Sequence, residues 1–171
     1  PKKADGFRFA MTVNTRPSVE VFHKANQIVV QNLQAVGIDA RLKPLESAPY
    51  TASTYIEADF DMSNVAWISA FDPNNLNLWH SGSIPPHGQN SVRWRNSEMD
   101  AMLEAGLVAL DREERRHIYQ RAQAILAEDV PMIPLLWWTN LDVASSKLLN
   151  FKPSGSANGN FWNAYEWQLT E

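Results

Sequence analysis

Apolar and polar positions alternate at the start of the chain. Phe7, Phe9, Met11 and Val13 fall on one side of residues 7–13, the period of a half-buried strand. Pro17 and Ser18 then introduce a stripe of Phe22, Ala25, Val29, Leu33 and Val36, spaced by three or four, which predicts a helix over Ser18–Val36. Gly37 stands where a left-handed cap would end that helix. Ile38, Ala40 and Leu42 alternate with Asp39, Arg41 and Lys43, so Ile38–Leu45 is expected as the next strand. Strand, helix and strand joined by a short Gly turn is the pattern of a right-handed parallel crossover. Ser53–Glu57 is expected as a short helix, followed by an apolar strand over Phe60–Trp67.

Two helices follow. Asn96 or Ser97 caps the first, with Met99, Leu103, Leu107 and Leu110 on its apolar face. Asp111 with Glu114 is the aspartate form of a capping box and opens the second, which runs to about Ala127 with Ile118, Ala122, Ile125 and Leu126 inward. Met132–Trp138, broken by Pro134, reads as a buried or edge strand, with Leu141–Ser145 as its pairing partner. Residues 154–160 form a loop by composition. The order is that of an α/β protein with a mixed sheet flanked by helices.

Composition narrows the function. The 171 residues are 44% hydrophobic and 20% charged, an ordinary globular balance sufficient for one core. Fifteen Lys and Arg against 19 Asp and Glu give a net charge of -4, which argues against a nucleic-acid or anionic-membrane partner. Without Cys there are no disulfides and no thiolate metal sites. No apolar run is long enough to span a bilayer. The chain opens without an initiator Met or a secretory signal, which we read as the mark of an excised or processed piece.

Chemistry-bearing motifs are few. No nucleophile–base pair, metal-ligand cluster or phosphate loop is visible, so neither a metal nor a cofactor is expected. His80 and His87 flank a Gly- and Pro-containing loop but lack a third ligand at supporting spacing, and His23 and His117 lie on helices. The segment Phe60 to Pro73 stands out: an apolar strand running into a loop with a tryptophan and an Asp-Pro stop, the form of a pocket wall and rim. Trp67 is the expected ligand contact there. Trp79, Trp94 and Trp138 are expected in the core, and Asp72 as a turn cap before Pro73. A competing enzyme reading pairs Asp59 or Asp61 with Glu57 as glycosidase carboxylates; a carbohydrate-binding module is a third reading.

Several phrases in this order carry a resemblance. They are Asn32 to Leu45, with its helix-Gly-Ile-strand run, then Phe60-Asp61-Met62, Trp67 and Asp72-Pro73. Asp111 to Arg115, Tyr119, and Glu128 to Leu135 complete the set. Together they resemble the extracellular solute-binding proteins of family 5, the oligopeptide, dipeptide and nickel-complex receptors of bacterial ABC importers.

The resemblance implies a periplasmic-binding-protein-like type II lobe. Residues 1–171 would be the C-terminal lobe of a two-lobed receptor, with about 151–171 returning toward the other lobe. It implies no enzymatic activity. The implied partners are a peptide or other small solute, the N-terminal lobe and an ABC permease. The implied location is periplasmic or extracellular, with membrane association through the N-terminal region. The implied ligand-binding residues are Trp67, Ser69, Ala70 and Phe71. In peptide-binding members an Asp three positions after the tryptophan pairs with the peptide α-ammonium; here that position is Ala70. A charge-assisted bond of that kind is worth roughly 1.5–3 kcal/mol. The lobe is therefore expected to tolerate a blocked N-terminus, or to prefer a neutral or anionic solute such as a saccharide.

Overall fold

The computed structural model describes residues 9–67, 72–137, 139, 141–155 and 159–170. β1 (Ala10–Thr15), α1 (Glu20–Ala35) and β2 (Asp39–Pro44) form the expected parallel crossover, in register from Ala10 opposite Asp39 to Thr15 opposite Pro44. Gly37 closes α1 with φ 84°. Its amide bonds to Gln34 O at 3.0 Å and that of Ile38 to Leu33 O at 3.0 Å, the paired bonds of a Schellman turn. Ile38 and Leu33 then pack on the same core, formed by Val13, Val30 and Ala40.

The helix faces the sheet one position away from the expected stripe. Asn26 and Val30 are its buried centre, while Val36 is 57% exposed. Asn26 takes a core position because its Nδ2 donates to Asn14 O at 3.3 Å. A buried amide with a partner substitutes for an apolar residue there, and a hydrophobicity pattern does not register it.

A helical segment runs from α2 (Ser47–Thr51) into a π-helical turn at Ala52–Glu57, so it begins six residues before the expected Ser53. Pro49 is tolerated because it lies in the first turn, where no intrahelical amide bond is needed. β3 covers only Met62–Ser63, pairing parallel with Val13 and Asn14, rather than the whole of Phe60–Trp67. Its late start has a cause just upstream: the Asp61 carboxylate accepts from Thr12 N at 2.7 Å and Thr12 Oγ1 at 3.0 Å, so a side chain occupies the ladder position. The three strands share one sheet in the order β2-β1-β3.

The second layer is helical: α3 (Leu76–Trp79), α4 (Ser97–Val108) and α5 (Arg112–Asp129). The expected caps are in place, with Asn96 Oδ1 accepting from Met99 N at 3.0 Å and Asp111 Oδ1 from Glu114 N at 2.8 Å. Met99, Leu103, Tyr119, Ala122 and Ile125 pack with Trp79 into a second core. The expected α4 stripe fails at its end: Leu107 and Leu110 are exposed, and Gly106 takes the buried position beside Tyr119.

Met132–Trp138 and Leu141–Ser145 make no ladder among the described residues. Pro131 and Pro134 withhold amide donors, and Ile133, Leu136, Trp137, Leu141 and Val143 stand exposed. The final segment forms a small antiparallel pair, β4 (Leu148–Leu149) with β5 (Gln168–Leu169), so parallel and antiparallel pairings sit in separate sheets. Trp167 packs there between Phe151 at 5.7 Å and Phe161 at 5.5 Å.

Candidate ligand-binding site

Parallel strands deliver their carboxyl ends to one edge of a sheet, and ligands bind where the strand order reverses. Here that point is β1: α1 carries the chain to β2 on one side, and β3 lies on the other. At the end of β1, Asn14 and Thr15 are fully buried and Arg16 follows directly. Asn14 Nδ2 donates to Ser53 Oγ at 2.9 Å, and Thr15 Oγ1 lies 3.3 Å from His23 Nδ1. These contacts fix the strand end from which Arg16 projects.

Arg16 lies over an aromatic ring. Its guanidinium carbon lies 5.3 Å from the centre of the buried Tyr50 ring. Tyr50 is itself fixed: its hydroxyl donates to Asn64 O and accepts from Ser63 Oγ at 2.8 Å, and Ser63 Oγ lies 3.0 Å from Thr54 Oγ1. Burial and the neighbouring Tyr50 push the Tyr55 hydroxyl pKa up, against the pull of the Arg16 charge. Among the described residues no carboxylate pairs with Arg16, and its buried Nε has no hydrogen-bond acceptor. The buried Asn14 Oδ1 also lacks a partner. A buried Nε without an acceptor is costly to keep, and the planar fork of the guanidinium matches a carboxylate.

Trp67 lies three residues beyond Asn64, half-buried. Its ring meets Trp79 edge-on at 6.0 Å and 62°, and Trp79 meets Trp94 at 6.3 Å and 83°. Trp79 belongs to the helical core and Trp94 packs against it, as expected. Ser69, Ala70 and Phe71 lie outside the described residues, as does Trp138. Asp72, at the far end of that stretch, accepts from Asn74 N at 2.8 Å in the expected turn. It also binds Arg115 Nη2 through both oxygens at 2.9 Å, an ion pair the sequence reading did not foresee. That pair holds the Asp72 carboxyl below the usual carboxylate range.

Two of the three carboxylates of the glycosidase reading are engaged elsewhere. Asp59 pairs with Lys43 at 3.0 Å. Asp61 is tied to Thr12, whose hydrogen bonds lower its pKa, the opposite of what a general acid requires. His80 is a structural link: Nδ1 accepts from Gly82 N at 2.9 Å, which leaves the proton on Nε2 to donate to Glu104 at 3.1 Å. The described residues contain no group of three candidate metal ligands. Arg16 and Tyr50 were absent from the sequence-level candidates. The only signal in the sequence was a cation placed just past a strand end, and its stacking partner lies 34 positions away.

No family model matches the chain. Individual proteins do. The oligopeptide-binding protein AppA of Bacillus subtilis is 24% identical over 168 residues, 98% of this chain and 30% of that protein. The structure of an oligopeptide-binding protein from Thermus thermophilus, complexed with a pentapeptide, superposes with a TM-score of 0.78 at 26% identity, over 99% of this chain and 33% of that one. The chain is a homologue of these peptide-binding proteins. A third structure, the ABC transporter-associated periplasmic binding protein DppA of Helicobacter pylori with a peptide, matches with a TM-score of 0.64 at 24% identity, over 95% of this chain and 31% of that one. The resemblance to family 5 and the periplasmic-binding-protein-like α/β fold stand on these relatives. The chain spans about 30% of the length of the first of them. No helix among the described residues is long and apolar enough to cross a membrane.

Proposed function

We propose that the chain is one lobe of a peptide-capturing receptor of an ABC importer, and that it binds the ligand's carboxylate through Arg16 while Trp67 packs against its body. The observation that carries this reading is the Arg16 guanidinium, stacked on Tyr50 at the switch point without a protein counter-charge among the described residues. A charge-assisted fork to a carboxylate would satisfy it, and the nearby aromatic surface suits the apolar part of a peptide. The charged group this lobe offers is a cation. That agrees with Ala70 standing where peptide-binding members carry an Asp: this lobe reads an anionic group and supplies no counter-charge to an α-ammonium at that position.

The proposal extends to the rest of the receptor, supported by relatives that are binding proteins. The exposed apolar positions between Ile133 and Val143 face the other part of the complete polypeptide, and residues 151–171 return toward it. The complete receptor acts outside the cytoplasmic membrane, is held near it by its N-terminal region, and hands its solute to a permease. It performs no chemistry on that solute; the engaged Asp59 and Asp61, and relatives that are binding proteins, support this. Native mass spectrometry of the purified full-length protein tests the reading. Co-purifying peptides released on denaturation are expected; a protein that carries none, and takes up none from a peptide digest, would refute it.

A further inference from the structure

Arg16 and Trp67, the two ligand contacts proposed above, are packed against different layers. Arg16 leaves the sheet at the end of β1 and lies over Tyr50 of α2. The Trp67 ring rests edge-on against Trp79 of the helical core, which is separate from the core of Val13, Val30 and Ala40. The span between the two contacts therefore depends on how the helical layer docks on the sheet.

The side chain of Arg93 crosses between the layers. Its Nη2 donates to Ile56 O at 2.8 Å. That carbonyl lies near the end of the π-helical turn Ala52–Glu57, where helical carbonyls run out of intrahelical donors. The turn continues α2, so Ile56 and Tyr50 ride on one helical segment, and its Ser53 accepts from Asn14 two residues before Arg16. At its other end Arg93 is rooted in the helical layer. The buried Asn90 donates from Nδ2 to Trp94 O at 2.8 Å and accepts at Oδ1 from Trp94 N at 3.2 Å, which closes the turn containing Arg93. Within that turn Arg93 takes a φ of 55°. A non-glycine residue keeps a left-handed backbone where its surroundings dictate it, and such positions cluster at functional sites. Trp94 of the same turn meets Trp79 edge-on. One closed turn thus carries both Arg93 and a ring that backs Trp79.

We propose that Arg93 is a positioning residue: through Ile56 O it sets the span between Arg16 and Trp67, so that one ligand meets both, without touching ligand itself. This rests on the receptor reading given above. An exposed hydrogen bond to a carbonyl that water can also satisfy adds little to folding stability, so its loss should be felt in binding rather than in unfolding.

The test uses the full-length receptor and titration calorimetry with tri-, tetra- and pentaalanine in turn. Arg93→Ala should weaken binding about tenfold, within the range for residues that act on a site without contacting its ligand, and should leave the thermal midpoint unchanged. In a Trp67→Ala background the same change should cost almost nothing further, because with one contact gone there is no span left to set. A loss caused by general loosening of the fold would persist in that background. Unchanged affinity in Arg93→Ala, or a loss of the same size with and without Trp67, would overturn the positioning role while leaving the receptor reading intact. A wild-type protein that takes none of these peptides would remove the reading and this inference together.

Discussion

Gly106→Ala should destabilise the chain, although the same change in an open helix would stabilise it. Alanine is favoured over glycine within a helix by about 1 kcal/mol. Here a Cβ at position 106 would lie 2.8 Å from both Cζ and the hydroxyl oxygen of Tyr119 and 3.1 Å from Cε2. The ring cannot swing clear: Tyr119 is 7% exposed, packed in the helical core, with Arg115 over its face and Arg115 Nη2 3.4 Å from its hydroxyl. Overpacking of this kind costs about 1–3 kcal/mol, so the net effect is a loss of up to about 2 kcal/mol. For a chain of this size that lowers Tm by up to about 8 °C, measurable by far-UV circular dichroism. Replacing the ring tests the cause. In a Tyr119→Leu background, Gly106→Ala should be neutral or stabilising. A wild-type background in which Gly106→Ala raises Tm would refute the argument.

Further expectations follow from other contacts. Leu103→Ala should cost about 2–5 kcal/mol in chemical denaturation, because Leu103 is 1% exposed at the centre of the helical core; a cost below about 1 kcal/mol would mean that this core is not closely packed. Asp61 has a folded-state pKa below its usual value of about 3.9, so its contribution is present at neutral pH and is lost as pH falls through the folded pKa. Asp61→Asn should therefore flatten the acid limb of a stability–pH profile, and an unchanged limb would show that the Thr12 bonds do not matter. Trp67→Ala in the full-length receptor should weaken ligand binding by about 1–3 kcal/mol in calorimetry, and unchanged affinity would remove Trp67 from the site.

The crossover unit was legible in the sequence because each part has a local cause: alternation for β1 and β2, a three-four stripe for α1, and Gly37 for the turn. The caps at Asn96 and Asp111 were legible for the same reason. The strands expected at Phe60–Trp67 and Met132–Trp138 were not realised at that length, since apolar content does not supply a ladder partner. Asp61 occupies the ladder position in one case, and two prolines remove donors in the other. Asn26 shifted the buried face of α1 because its value depends on Asn14 O, a partner twelve positions away. Of the proposed site, the sequence offered Trp67, mostly through the family resemblance, whereas Arg16 with Tyr50 and Asp72 with Arg115 exist only once the sheet and helices bring distant residues together.

The central claim is that Arg16 gives this lobe a carboxylate-reading site. Calorimetry on the full-length receptor should compare one short alanine peptide with its C-terminal amide and its N-acetyl form, in the wild type and in Arg16→Gln. The wild type should bind the free peptide and the N-acetyl form alike and the amide at least about tenfold more weakly, and Arg16→Gln should abolish that discrimination by losing affinity for the two acids alone. A wild type that binds acid and amide equally, or an Arg16→Gln variant that still prefers the acid, would contradict it.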